Sequence, residues 1–429
     1  MPLFSDEWEG HRMTEKARKP ANIHFIQRFG KYELASGSTK YVIPCFSSLI
    51  FNLLTNKMMK KLLFLLLFFA TFVACSDDDN TDYDPSKHID MIVVNEGAAT
   101  TGSGALSVIY DDRSTTFDLF QDVNNRPLGD IAQSITYING NYFVALNGSK
   151  KVEIVEPQTF NSIATIVFED SNISPRFIQP ISATEAIVSS LGRELARINI
   201  KDYSVIEYID ISETEAMQIE KMITIDKKLF CAAIDNGIGV FDVDNIKGSS
   251  MRLVEGLQGS IMKTAKPILD KNHKLWILTT ESDKVILNGI NPETEKVEDT
   301  IEIPYVKEGD KDYVDDCITG TDWYTRMDTD RTKSKLYFYM TILSEKNSRL
   351  GAIFTMDVDS HEIALYRRLP DLGMMYGMGI SPDGDVFLCD CLDYSRQRGF
   401  LREYKENGSI VSQRVGVYPR MIHFTEYDK

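Results

Sequence analysis

The stretch QSITYINGNYFVALNGSKKVEIVEPQTFNSIATIVF, residues 133–168, decides the architecture. It holds four short runs rich in β-branched and aromatic residues, joined by Asn-Gly, Gly-Ser and Glu-Pro steps. Alternating apolar and polar residues have the period of a strand, and Asn-Gly between two such runs is a hairpin signal. Four antiparallel strands in succession make one meander. A lone meander has open edges and almost no core, so a stable chain needs several, packed together.

The chain supplies them. NYFVALN (141–147) recurs as MIVVNE (91–96), EAIVSSL (185–191), KLFCAAI (228–234), KLWILTT (274–280), KLYFYMT (335–341) and DVFLCDC (385–391). The spacings, about 43 to 61 residues, match the period of four-stranded propeller blades. Each copy is followed by a turn and a further strand, such as ALSVIYD (105–111) or KVILNGI (284–290). Copies two to five and seven are preceded by another strand, as in RFIQPISA (176–183) and GMGISPDG (377–384). The first copy lacks that preceding strand, because residues 76–88 are polar. PRMIHF (419–424), at the other end of the chain, has its character and no partner of its own. Joining the two completes seven blades and removes the open edges. The expected fold is all-β: a seven-bladed β-propeller over 89–429, its ring closed by the C-terminal strand.

Ahead of the repeats, residues 58–79 read MMKKLLFLLLFFATFVACSDDD. Two lysines precede an apolar run from Leu62 to Val73, and Ala74 leads into Cys75. The run is short for a membrane span but suits a secretory signal. Cleavage before Cys75 would free its amino group and leave its thiol for a diacylglycerol, which resembles the bacterial lipoprotein box. Several acyl chains, at about 0.8 kcal/mol per buried methylene, hold a protein at a membrane. Ser76-Asp77-Asp78-Asp79 resembles the acidic export tag of outer-leaflet lipoproteins in Bacteroidetes. The organisation expected is an upstream extension at 1–57 preceding the true start, a lipoprotein signal peptide at 58–74, a lipid-anchored acidic tether at 75–88 and the propeller. The location expected is the outer membrane, facing the cell surface.

The formal charge of −16 and pI near 4.9 argue against nucleic acid as a partner. No Cys-x-x-Cys pair appears, so a zinc site is not expected. Cys389 and Cys391 stand at i and i+2, which on a strand would place them on one face, as buried thiols of a blade core. The histidines do not pair for a metal or a proton relay. His423, on an inner strand, is the one placed to offer an imidazole to a ligand in the channel. Asp310, Asp312, Asp315 and Asp316 cluster in an insertion at 304–330, read as an enlargement of the fifth blade, and could offer oxygens to Ca²⁺. No nucleophile elbow or phosphate-binding glycine loop is present, and no catalytic residue is assigned.

In a propeller, ligands meet the loops that cross one face of the ring. Those loops hold Asn95, Glu96, Arg126, Arg176, Arg193, Trp323, Tyr324, Tyr376, Asp393, Tyr394, Arg396, Tyr418 and Arg420. Tyr, Trp and Arg combine contact area with directional donors, which makes these the candidate ligand-binding residues.

Residues 128–160 and 390–424 resemble the opening and closing blades of the YncE-like propeller lipoproteins of Bacteroidetes, and the likeness runs from Ile89 to Phe424. The Asn95-Glu96-Gly97 turn and the Asp393-Tyr394 step fit that pattern. The resemblance implies a surface protein that captures a corrinoid and passes it to a TonB-dependent outer-membrane transporter, with no cofactor required and no catalysis. Two alternatives stay open: a surface-layer or adhesion propeller binding glycan or protein, and a lactonase-like extracellular enzyme. The second expects carboxylates near the starts of the inner strands, where the runs QSITYI, RFIQPI, KMITID, KPILD, GMGIS and RMIHF carry few.

Overall fold

The computed structural model describes residues 80–168, 171–261, 266–281, 284–303, 313–314, 326–343 and 349–428. The chain divides into two units, Met1–Ser76, which lies outside the described residues, and Asp77–Lys429. Cys75 and the apolar run before it therefore fall outside the description. No helix among the described residues is long and apolar enough to cross a membrane.

The second unit is a seven-bladed β-propeller. Its strands form seven separate antiparallel sheets, five of four strands and two of five. Blade 2, the stretch quoted above, runs Ala132–Ile138, Asn141–Leu146, Lys151–Val155 and Ser162–Val167 in order. Blade 1 is assembled from both chain ends: Pro419–Phe424 pairs antiparallel with Ile89–Asn95, with Met91 opposite Phe424 and Val93 opposite Ile422. The closing strand is thus where its sequence character placed it.

The apolar runs have a simple cause. In a propeller each middle strand is covered on both faces, so successive side chains enter different cores. Tyr142, Val144 and Leu146 pack toward blade 1, whereas Phe143 and Ala145 pack toward blade 3. Seven hydrophobic clusters result, one between each pair of neighbouring blades. Alternation between exposed and covered positions survives only on outer strands, as in Lys296–Glu302.

Two expectations need correction. Cys389 packs toward blade 1 and Cys391 toward blade 6, because the strand Val386–Asp390 ends before Cys391 and the face alternation ends with it. Both thiols and Cys231 are buried and outside any disulfide, and burial pushes that of Cys391 up to about 12. The insertion also belongs elsewhere. Its described pieces, Tyr313–Val314 and Met327–Thr329, pair with Lys335–Leu343, so they open blade 6 instead of enlarging blade 5. Asp310, Asp312, Asp315, Asp316, Trp323 and Tyr324 lie outside the described residues.

Several bonds lock the seam between blades 7 and 1. Arg113 meets Glu403 at 3.2 Å, the Gln413 amide donates to the Arg113 carbonyl at 2.9 Å, and Gly416 N donates to Ser107 Oγ at 3.1 Å. A final 3₁₀ turn, Thr425–Asp428, returns to blade 2, where Tyr142 donates to Asp428 Oδ2 at 2.7 Å.

Candidate functional site

Five inner strands share one irregularity at the same height. The register against the neighbouring strand slips between Ala132 and Ser134, Pro175 and Ile178, Ile219 and Met222, and Met375 and Gly377. In blade 1 it slips between the partners Pro419 and Met421. A bulge at each slip leaves extra residues out of the ladder and re-aims their side chains. Besides Phe177 and Lys221, the residues so released are Gln133, Arg176, Glu220, Tyr376 and Arg420, each with a polar group. All five are buried, and they gather at the end of the channel where the inner strands begin.

Their contacts form two linked groups. Arg176 and Glu220 make a bidentate pair, Nε to Oε1 and Nη2 to Oε2 both at 3.0 Å, and Arg176 Nη1 also donates to Gln133. Gln218 adds a donor to Glu220 Oε1 at 2.5 Å. A planar fork meeting a carboxylate edge-on suits a dry setting, where an imperfect pair would cost more than it returns. Burial still lowers the Arg176 pKa, Glu220 opposes that shift, and the charge of Arg420 adds to it. In the second group Arg420 Nη1 meets Glu96 Oε2 at 2.5 Å, and the Tyr376 ring stacks on Tyr418 with centroids 5.8 Å apart. Burial, and then the Glu96 charge, raise the Tyr376 phenol. Neighbouring inner strands are tied by Ser134 Oγ, which donates to the Arg176 carbonyl at 2.7 Å.

Next to this mouth lies a cavity of about 270 Å³ whose walls include Phe177, Lys221, Lys266 and Asp328. Lys266 Nζ lies 2.5 Å from Asp328, and Lys221 Nζ sits over the Phe177 ring at 5.3 Å. Burial, reinforced by Lys266, holds the Lys221 amine well below its ordinary pKa.

Of the candidates read from sequence, the structure brings Glu96, Arg176, Tyr376, Tyr418 and Arg420 together at the mouth. Asn95 is wholly buried, and its amide donates to the Val93 carbonyl and to Ser107 Oγ, so it frames blade 1. Arg126 lies over the Phe120 ring and pairs with the buried Glu153 at 2.7 Å, fastening the helix Leu119–Asn124 to blade 2. Arg193 is exposed on a turn. Asp393, Tyr394 and Arg396 occupy an exposed loop where Asp393 accepts from Ser395 N at 2.7 Å and the Tyr394 carbonyl accepts from Tyr418 Oη at 2.6 Å. That loop is tied to the mouth through Tyr418.

His423 stands three residues beyond Arg420, roughly 10 Å along the strand. Its Nε2 is 2.8 Å from Asp428 and its ring packs on Tyr142, so it serves the C-terminal clasp and not the mouth. Residues missed in the sequence are Gln133, Glu220, Lys221, Lys266 and Asp328. One carboxylate of the kind whose scarcity counted against an enzyme stands here, since blade 4's inner strand begins at Ile219, ahead of Glu220. The signal was a polar residue just ahead of each inner apolar run. Among the described residues no three His, Cys, Asp or Glu side chains gather where one metal ion could be held.

A family model described as a domain of unknown function, DUF5074, matches residues 90–314. No curated protein matches the chain. Among solved structures, a quinonprotein alcohol dehydrogenase-like protein from Bacteroides thetaiotaomicron is 15% identical, with a TM-score of 0.56, over 80% of this chain and 79% of that one. A putative 6-phosphogluconolactonase from Bacteroides uniformis is 13% identical with a TM-score of 0.53, over 79% of this chain and 100% of that one. Another from Bacteroides fragilis is 8% identical with a TM-score of 0.53, over 80% and 99%. At such identities the likeness is one of fold.

Proposed function

The chain belongs to the DUF5074 family, and from that premise we propose that it is a lipid-anchored surface propeller that binds a ligand without transforming it. In this reading Cys75 carries the anchor, and the ligand docks on the mouth formed by Glu96, Arg176, Glu220, Tyr376, Tyr418 and Arg420. The observation that carries it is the repeated bulge, which turns a polar side chain out of the ladder at the same height in five blades. Side chains locked by their own partners lose little freedom when a ligand arrives, which favours affinity. Their roles are those of recognition: guanidinium and amide donors, carboxylate acceptors and a stacked tyrosine pair.

The cargo we propose is a corrinoid, passed to a TonB-dependent transporter in the outer membrane. A corrin carries several amide side arms on a broad plane. That plane is too wide for a 270 Å³ cavity but suits a mouth of donors and acceptors next to it. Isothermal titration of the purified protein with cyanocobalamin tests this. Saturable binding at micromolar ligand, weakened in Tyr418→Ala, supports the reading, and a flat trace overturns the corrinoid assignment.

A further inference from the structure

The opposite end of the ring holds a second concavity, at the seam between blades 7 and 1. It encloses about 250 Å³ and is lined by five carboxylates, those of Asp90, Asp383, Asp385, Glu403 and Glu426, against the Arg113 guanidinium and the His88 imidazole, which lies 3.8 Å from Asp90. Its apolar wall is Phe387 and Phe424, packed edge to face with centroids 5.2 Å apart. Phe424 lies four residues beyond Arg420, roughly 13 Å along the strand, so this cleft is distinct from the mouth.

The carboxylates are unevenly satisfied. Glu426 pairs with Arg331 at 2.5 Å, and Glu403 Oε1 meets Arg113 and Lys405 at 3.2 Å each. Glu403 Oε2, on a side chain only 3% exposed, has no hydrogen-bond partner. A buried carboxylate oxygen left unmatched is costly. Burial raises the pKa of both Asp90 and Asp385, and the Glu403 charge raises that of Asp385 further. A cation in the cleft would relieve all three. These oxygens do not converge on one point, since no three acidic or histidine side chains among the described residues could hold a metal ion. A larger cation with several N–H donors and an apolar stem can reach acceptors spread in this way, its methylenes lying on the phenylalanine wall.

We propose that this cleft binds the ammonium or guanidinium end of an organic cation, with Asp90 and Asp385 as acceptors and Glu403 adding its buried charge. The source is either a free polyamine or a basic side chain of a partner protein. The inference does not rest on the ligand proposed for the mouth.

The probes are 1,4-diaminobutane and Nα-acetyl-lysine methylamide, titrated calorimetrically into the full chain at low salt. Saturable binding, weakened about tenfold in Asp385→Asn, is the expected result. Tighter binding of the diamine assigns the site to a free polyamine; equal or tighter binding of the lysine derivative assigns it to a protein side chain. Asp90→Asn is measured alongside, with thermal unfolding of both variants, so that a folding defect in one does not decide the matter. Absence of saturable binding by either probe, or binding unchanged in both variants, overturns the proposal.

Discussion

Replacing Glu220 by Leu leaves the Arg176 guanidinium buried beside Gln133 with its carboxylate partner removed. Arg176 is 4% exposed and Glu220 1%, so water cannot readily take over the lost bonds. Breaking one side of a buried pair costs about 3–5 kcal/mol, most of it the stranded charge. Unfolding entropy of roughly 2 cal/mol/K per residue over a propeller of ~350 residues converts this to a fall of about 4–7 °C in the melting midpoint. The double variant Arg176→Met/Glu220→Leu removes both charges and should recover most of the loss, because matched apolar groups can replace a buried pair at little cost. Differential scanning calorimetry of the two variants and the parent measures both steps. A drop below about 1 kcal/mol in Glu220→Leu, or a double variant no better than the single, would refute a dry, interlocked mouth.

Three further outcomes follow from the same structure. Phe143→Ala opens a void between blades 2 and 3 and should cost about 3–5 kcal/mol in denaturant unfolding, since that ring is almost wholly buried. Truncation after Tyr418 deletes the closing strand and leaves Ile89–Asn95 with an open edge, so size-exclusion chromatography should show association in place of a single monodisperse species. Burial raises the Asp118 pKa to about 6, above its unfolded value, so this group favours the folded state at low pH, and that advantage is lost as pH rises through 6. Asp118→Asn keeps the cap on Gln121 N without the charge; it should stabilise the protein by about 1–2 kcal/mol at pH 7 in urea unfolding, a gain shrinking toward pH 4.

The blade count and the closing strand were legible because both are written in periodicity. A middle strand covered on both sides must be a short continuous apolar run, and NYFVALN and KLFCAAI could serve little else. Arg176, Arg420 and Tyr376 were legible as residue types at loop-to-strand joints. What the sequence could not display is the bulge beside them. A register slip depends on how the neighbouring strand pairs, and a one-residue slip reverses which side chains face the channel. Glu220 was passed over for that reason, as a residue before the strand instead of within it. Asn95 and Arg126 lie apart from the mouth for another reason: their types suit recognition, but Ser107 and Glu153, distant in sequence, take up their donors. The face expected to be shared by Cys389 and Cys391 failed because a strand's alternation holds only to its last paired residue.

Hydrogen–deuterium exchange of the purified protein, with and without saturating cyanocobalamin, tests most directly whether the bulged mouth is where ligand binds. Protection is expected to concentrate at 94–97, 132–134, 175–178, 219–222, 375–377 and 417–421, the segments that carry the slips and their loops. Protection confined to outer strands or to the seam cleft, or none at all under saturating ligand, would contradict binding at the mouth.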